Sequence, residues 1–318
     1  MLRFIAGRGL QMLVSLWVAL TLVFVAVTQL PGDPVRALFG FRAVPPDIYA
    51  AIREQFHLDQ PVWRQYLLYL GDVLTGDLGT SYPRDPFGAS TVGAAVTDTL
   101  ASAAPVSAVL LLAALVVQLV VGVLAGALSA RRGSRASGRT LYVLALLLVS
   151  TPALVASYVL RTVFAFQLGW LPTRGLFGGP ASYLLPVLAL SALSTGYVLL
   201  LTRSEVQETL RSAYVKAGHG RGLSSSRLLL RHALRPSLIP VVAYVSGNVG
   251  QLVVGLVVVE RLFALPGIGS AIYTAIAEQD RSLLIGLVTV VMVVVIVANA
   301  MCDVLVAVLD PRLRTPGG

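Results

Sequence analysis

Residues 99–130 read TLASAAPVSAVLLLAALVVQLVVGVLAGALSA and contain no Asp, Glu, Lys or Arg. An α-helix needs about 20 mostly apolar residues to cross the roughly 30 Å hydrocarbon core of a bilayer, and this stretch is longer than that. Its apolar residues cover every helical face instead of forming one stripe, which is typical of a helix surrounded by lipid. The stretch therefore predicts a transmembrane helix.

Further charge-free windows extend this prediction to the whole chain. The mean hydropathy is +0.82, and charged residues make up 12% of the 318 positions, about half the share of a water-soluble domain. We therefore expect an all-α membrane protein with six transmembrane helices. The other five windows are 9–32, 140–160 (apolar to about Leu168), 175–202, 236–259 and 282–302.

The first window also has features of a signal peptide, because Arg3 and Arg8 precede it. Its apolar region is longer than the roughly 7–15 residues of a cleaved signal, and no small-x-small cleavage site follows closely. We expect an uncleaved membrane anchor. Cys302 is the one cysteine, so no internal disulfide can form.

The basic residues predict the orientation of the helices. With the N-terminus inside, the inner segments contain fifteen Lys or Arg and the longer outer segments contain eight, whereas eleven of the fifteen acids lie outside. This asymmetry predicts that both termini are cytoplasmic. It also accounts for the net charge of +9 without a nucleic-acid partner.

Residues 31–98, named here the outer segment, are too polar for a membrane span and too long for a turn. Two short amphipathic helices are expected in it, from PPDIYAAIREQF at 45–56 and PVWRQYLLYLGDVL at 61–74. They would lie on the membrane surface or cap the bundle, with aromatic residues at headgroup depth. The segment is interpreted either as a structural lid or as a docking surface for an extracytoplasmic partner.

The chain has no pattern typical of an enzyme. His57, His219 and His232 fall in predicted loops, and no carboxylate pair lies within a span. Zinc-ligand spacing is absent, and Lys216 follows Val215, so the phosphate-binding Gly-Lys-Ser/Thr motif is absent too. We predict no catalytic residue, no metal and no bound cofactor.

A few polar residues lie within the predicted spans. Ser246, Asn248 and Gln251 cluster in the fifth window, with both amides expected on one face. They indicate either tight helix packing or a hydrophilic translocation pathway. Arg161 and Asp303 are expected to reach the outer and inner interfaces of their helices.

The segment 203–238 is the most basic inner region. An apolar stripe continues the fourth span as far as Ala217, and Gly218, Gly220 and Gly222 can adopt positive φ and end that helix. Ser224 is a suitable N-cap for a second helix ending at Pro236. Leu228, Leu229 and Leu230 would face lipid or a protein groove. A bend of fixed shape favours a partner groove over an anionic-lipid or nucleic-acid patch.

This bent segment resembles the cytoplasmic coupling loop of binding-protein-dependent ABC importer permeases, with Gly222 at the family's loop glycine. Where the wider superfamily has Glu-Ala-Ala, this chain has Lys216-Ala217-Gly218. Four further segments match the dipeptide/oligopeptide/nickel branch. They are LPGDPV at 30–35, LDQPVWRQYLLYLGDVLTGDLGTSY at 58–82, ERLFALPGIGSAIYTAI at 260–276 and DPRLR at 310–314.

The resemblance implies the type I importer permease (MetI-like) fold. It implies an N-terminal transmembrane helix at 1–30, an extracytoplasmic helical insertion at 31–98, and a five-helix core at 99–318 that includes the coupling loop 203–238. It also implies a bacterial inner-membrane location. A secondary transporter is a less favoured alternative, because coupling charges at the bilayer midplane are missing.

The resemblance also implies partners and cargo. The chain would pair with a homologous second permease, lie among membrane lipid, and contact two ATPase subunits that bind ATP and Mg²⁺. An extracytoplasmic binding protein would deliver dipeptides, oligopeptides, nickel chelates or glutathione. The coupling residues would be Tyr214, Lys216, Ala217, Gly218, Gly222, Leu223, Ser224, Arg227 and Arg231. The docking residues would be Asp59, Gln60, Pro61, Trp63, Pro266 and Gly267.

Overall fold

A computed structural model describes residues 2–39, 45–83, 93–130 and 135–309. Helices make up most of these residues, and the one β-bridge among them pairs Thr80 with Ala95. The all-α prediction is therefore confirmed. The C-terminal motif at 310–314 lies outside the described residues.

Fourteen α-helices lie in the described ranges. They are α1 Leu2–Thr28, α2 Pro34–Phe39, α3 Pro46–Gln55, α4 Val62–Thr75, α5 Val96–Ser129, α6 Arg135–Ser150, α7 Ala153–Leu160, α8 Leu184–Arg211, α9 Ala213–Gly220, α10 Ser225–Arg227, α11 Leu234–Gly247, α12 Val249–Leu262, α13 Ile268–Ala277 and α14 Arg281–Leu309. Two π-helical turns, Arg161–Gln167 and Leu228–Ala233, and one 3₁₀ turn, Gly179–Tyr183, lie between them.

Five helical stretches of the described chain are long and apolar enough to span a membrane, and a bent pair of helices makes a sixth. The bent pair lies in the third predicted window, where 136–150 and 153–167 meet at 109°. This window therefore consists of two helical arms instead of one continuous helix. Pro152 starts the second arm with extended backbone, ψ 146°, because proline has no N–H to donate and disfavours helical geometry in the preceding residue.

The described residues divide into two compact units. The core unit comprises Ala108–Leu265 and the residues from Ala298, and the flanking unit comprises Leu2–Ser107 and Pro266–Val297. The flanking unit therefore combines the first span and the outer segment with α13 and most of α14.

Helix α8 is the central helix of the core unit, and glycines on α8 and on a neighbouring helix allow close contact. A Cβ added at Gly122 of α5 would lie 2.6 Å from the Val198 side chain. On α8 itself, a Cβ at Gly196 would lie 2.8 Å from the carbonyl oxygen of Ala145 on α6. Real Cβ atoms do not approach neighbours so closely, so these glycines permit small-residue packing of the kind common between membrane helices.

In the flanking unit, the two amphipathic helices predicted for the outer segment are present as α3 and α4. Ile52 of α3 is buried with Val35 and Phe39 of α2. Helix α4 packs on α1 through Tyr66, whose hydroxyl lies 2.6 Å from that of Thr21.

Part of the predicted apolar face of α4 is solvent-accessible in this chain. The exposed fraction is 65% for Trp63 and 88% for Leu74. Aromatic and apolar side chains of this kind are favoured at a membrane surface.

Arg161 forms its hydrogen bonds with two main-chain carbonyl groups. Its Nε donates to the carbonyl oxygen of Thr173 at 2.9 Å, and its Nη1 donates to that of Leu262 at 2.7 Å. Its guanidinium also lies 5.2 Å from the centre of the Phe166 ring. Arg161 therefore fastens the loop after its own π turn to the end of α12, because free carbonyl groups at a helix terminus need donors.

Candidate functional site

The predicted coupling loop forms two helices joined by a turn at Gly222. Helix α8 ends at Arg211, and Ser212 is extended with ψ 154°, so α9 is a separate helix instead of a continuation of α8. After α9, Gly222 has φ +80°, as predicted.

The turn is a Schellman cap. The N–H of Leu223 donates to the carbonyl oxygen of Gly218 at 3.2 Å, which is the hydrogen bond that closes this motif. A Cβ at Gly222 would meet nothing within 4 Å. The left-handed backbone, and not lack of space, therefore requires glycine here.

Gly218 and Gly220 differ from the prediction, because both are helical residues of α9 and neither has positive φ. Gly218 serves close packing, since a Cβ there would lie 2.9 Å from Cδ2 of Leu228. The glycine thus lets the two arms of the loop approach each other.

Ser224 caps the second arm as predicted, with its Oγ accepting from the N–H of Arg227 at 3.4 Å. The predicted end at Pro236 was wrong, because α11 continues through this proline to Gly247. The π turn at Leu228–Ala233 explains how this is possible. A π turn shifts the hydrogen-bond register by one residue, so the N–H that proline lacks is not needed.

The two arms are bound to one another and to α8. The Tyr214 hydroxyl donates to the carbonyl oxygen of His232 at 3.1 Å. Leu229 and Ala233 are buried against Val206 of α8. The loop is therefore a packed element and can transmit force as one body.

The expectation that three successive leucines face lipid or a groove was right for one of them. Leu228 and Leu229 are buried, whereas Leu230 is 62% exposed. Helical geometry explains the difference, because three consecutive residues cannot share one face of a helical turn.

The exposed surface of the loop is basic. Lys216, Arg221, Arg227 and Arg231 are all exposed, and none forms an ion pair with a residue that the structure describes. Ala217 and Tyr214 are exposed beside them. This face combines free positive charge with the apolar side chain of Leu230, which suits a protein groove.

The candidate pathway residues lie in different environments. Asn248 is 6% exposed and forms the junction between α11 and α12, with its Nδ2 donating to Ser194 Oγ at 2.6 Å. Ser246 is also buried, whereas Gln251 is exposed. The fifth window is therefore two helices, and its two amides do not share one environment.

Sequence reasoning did not select a second group of polar residues in the core unit. Gln118 is fully buried, and neither its Oε1 nor its Nε2 has a hydrogen-bond partner among the described residues. The hydroxyls of Thr195 and Thr202 on α8 are also buried and also have no hydrogen-bond partner among the described residues. The sequence feature that could have identified this group is the glutamine in the centre of the charge-free stretch 99–130.

The candidate docking residues lie in the flanking unit. Asp59, Pro61, Trp63 and Pro266 are exposed, Gln60 is half-buried, and Gly267 is buried. Gly267 precedes α13 with extended backbone. The exposed members leave side chains available for a partner.

Comparison with known proteins agrees with this geometry. Residues 118–315 match the family described as "Binding-protein-dependent transport system inner membrane component", and residues 1–111 match "Binding-prot-dependent transport system membrane comp, N-term". The chain belongs to this family. It is a multi-pass inner-membrane permease subunit.

Several relatives are similar over their full length. The chain is 36% identical to the oligopeptide transport system permease protein OppB of Haemophilus influenzae, over 99% of this chain and 100% of that one. It is 31% identical to the dipeptide permease DppB of Lactococcus lactis, with the same coverage. It is also 31% identical to the glutathione permease GsiC of Escherichia coli, over 99% of both chains.

A solved structure supports the fold. The methionine ABC transporter MetNI, in an inward-facing conformation, matches with a TM-score of 0.57 at 13% identity, covering 68% of this chain and 98% of that one. The predicted type I importer permease fold is thereby confirmed.

Proposed function

We propose that this permease moves short peptides from an extracytoplasmic binding protein into the cytoplasm, driven by separate ATPase subunits. The full-length similarity to oligopeptide and dipeptide permeases carries this proposal. Glutathione is a second candidate cargo, because one relative of similar length is a glutathione permease.

The segment 203–238 is proposed as the contact with the ATPases. Its two arms are packed on each other through Gly218 and Leu228 and on α8 through Leu229. Movement of the loop would therefore be passed to α8, the central helix of the core unit. Its exposed cations and Leu230 would form the docking face, and their Coulomb attraction to a partner would weaken with salt.

The translocation pathway is proposed to run along the exposed side of α12. Gln251 is exposed in this chain, and a polar side chain within a membrane helix normally faces a cavity or another protein subunit. Pairing with a second permease would place such a residue between the subunits. Asn248 is already bonded to Ser194 and is proposed to hold α8 to the α11–α12 junction.

Reconstitution tests the proposal as a whole. The permease, its partner permease, the ATPases and the binding protein are placed in liposomes, and uptake of a labelled dipeptide, an oligopeptide and glutathione is measured with and without ATP. ATP-dependent uptake of a peptide is expected. Uptake of glutathione alone would mean that glutathione, and not a peptide, is the cargo. Uptake that needs no ATP would contradict the proposed mechanism.

A further inference from the structure

A cavity of about 280 Å³ lies in the flanking unit, apart from the coupling loop and the residues of α12. Its walls come from α1, the end of α3, α4 with the loop after it, and the start of α14. The volume is comparable to that of small-ligand sites.

One side of this cavity is acidic. Asp72 of α4 and Asp77 both line it. The carboxylate of Asp77 accepts from the N–H of Gly79 at 2.9 Å, whereas that of Asp72 has no hydrogen-bond or ion-pair partner among the described residues. Burial and the charge of Asp77 raise the pKa of Asp72. The C-terminal end of α4 adds further negative potential, so this side favours a cation.

Aromatic rings form another part of the wall. Phe24 is stacked on Tyr69 with 5.5 Å between ring centres, and Phe56 contacts Tyr82 edge to face at 4.6 Å. Aromatic faces attract ammonium groups. Carboxylates together with aromatic rings are therefore suited to an organic cation.

Tyr82 supplies an independent indication of a ligand. Its side chain lines the cavity and is 3% exposed, yet its hydroxyl has no hydrogen-bond partner among the described residues. A polar ligand in the cavity would give this hydroxyl a hydrogen-bond partner.

A positive group lies elsewhere on the wall. Nη2 of Arg281 donates to the carbonyl oxygens of Leu30 at 2.5 Å and Gly32 at 2.7 Å. Its Nε and Nη1 have no acceptor among the described residues. These nitrogens can receive an anionic group, and His57 also lines the cavity.

We propose that this cavity binds a zwitterion, with a primary ammonium group at Asp72 and Asp77 and an anionic group at Arg281. Two sources share this chemistry, namely a short peptide with a free amino terminus and the headgroup of an ethanolamine phospholipid. The proposal rests on the cavity alone and does not depend on the transport function.

The test uses the permease within its complete transporter. In one arm, binding of dialanine and N-acetyl-dialanine is measured by calorimetry in choline-phospholipid nanodiscs. In the other arm, native mass spectrometry measures retention of ethanolamine and choline phospholipids after purification. The variants are Asp72→Asn, Tyr82→Phe and the control Glu54→Gln, an exposed acid on α3 outside the cavity.

A preference for a free ammonium group in either arm that is weakened in Asp72→Asn supports the site and shows which of the two ligands it binds. Asp72→Asn should weaken the preferred ligand about tenfold or more, because a hydrogen bond to a charged group is lost. Tyr82→Phe should weaken it less, and Glu54→Gln should have no effect. The proposal would be overturned if dialanine and N-acetyl-dialanine bound equally and the ethanolamine and choline phospholipids were retained equally. An effect of Asp72→Asn no larger than that of Glu54→Gln would also overturn it. Transport is not measured, so neither result bears on the proposed function.

Discussion

Asp280 accepts a hydrogen bond from Ser81, 199 positions away in the chain. The same carboxylate accepts from the N–H of Tyr82 at 3.1 Å and from the N–H of Leu283 at 3.0 Å. One buried side chain thus holds Ser81 and Tyr82 of the outer segment to the start of α14.

The next two residues extend this attachment. Arg281 binds the carbonyl oxygens of Leu30 and Gly32, and the Ser282 hydroxyl donates to the carbonyl oxygen of Thr80 at 2.6 Å. Three consecutive residues therefore position two loops of the flanking unit that lack regular secondary structure.

Asp280→Asn is expected to loosen this attachment. An amide nitrogen in place of one carboxylate oxygen cannot accept from the Tyr82 N–H, and a buried unpaired donor costs about 1–3 kcal/mol. Hydrogen exchange at Tyr82 and Leu283 should accelerate. Glu278→Gln, an exposed neighbour, is the control. Equal exchange in the two variants would contradict a positioning role for Asp280.

The effect of Asp280 should depend on pH. Burial raises the pKa of this carboxyl, and its hydrogen bonds offset only part of that effect. The folded state therefore binds the proton more readily than the unfolded state does. The stabilisation from Asp280 is then largest at low pH and is lost as pH rises through the folded-state pKa. The advantage of the wild type over Asp280→Asn, measured by exchange, should therefore decrease as the pH rises above the ordinary aspartate pKa of 3.8.

Gly222→Ala should impair coupling to the ATPases. A side chain in left-handed backbone costs about 1–2 kcal/mol, and relief of this strain would redirect the second arm of the loop. Copurification of the ATPases and binding-protein-stimulated ATP hydrolysis should both decrease. Gly220→Ala is the matched control, because Gly220 is helical and a Cβ there meets nothing within 4 Å. Wild-type behaviour of Gly222→Ala would mean that another element couples the subunits.

Replacing the two amides near the α11–α12 junction should give different results. Asn248→Leu removes the hydrogen bond to Ser194 and should lower stability by about 0.6 kcal/mol, the average for such bonds in membranes. Gln251→Leu should reduce uptake while thermal stability and assembly are retained, since this side chain is exposed. Stability and uptake are measured for both variants. Normal uptake by Gln251→Leu would remove this residue from the pathway.

The orientation is tested by single cysteines in a Cys302→Ser background. Glu54 and Ser225 are both exposed, whereas Ser81 is buried and bonded to Asp280 and is unsuitable. In intact cells, an impermeant thiol reagent should label Glu54→Cys, and Ser225→Cys should react only after permeabilisation. The reverse pattern would invert the predicted topology.

Local signals in the sequence were sufficient to predict many structural elements of this protein. Long charge-free windows predicted membrane helices because desolvation of charge in lipid is costly. Gly222, with Ser224 two residues later, predicted the turn and the N-cap. These features depend on a few neighbouring residues, and the structure agrees with them.

Features that depend on distant residues were decided by the tertiary structure. The roles of Arg161 and Asp280 follow from carbonyl and hydroxyl partners far along the chain. Pro152 is the extended N-cap of α7, whereas Pro236 lies within the helical stretch that continues through α11. Hydropathy measures the transfer of a segment into lipid. It does not specify which distant group satisfies each buried donor or acceptor, and packing alone determines that.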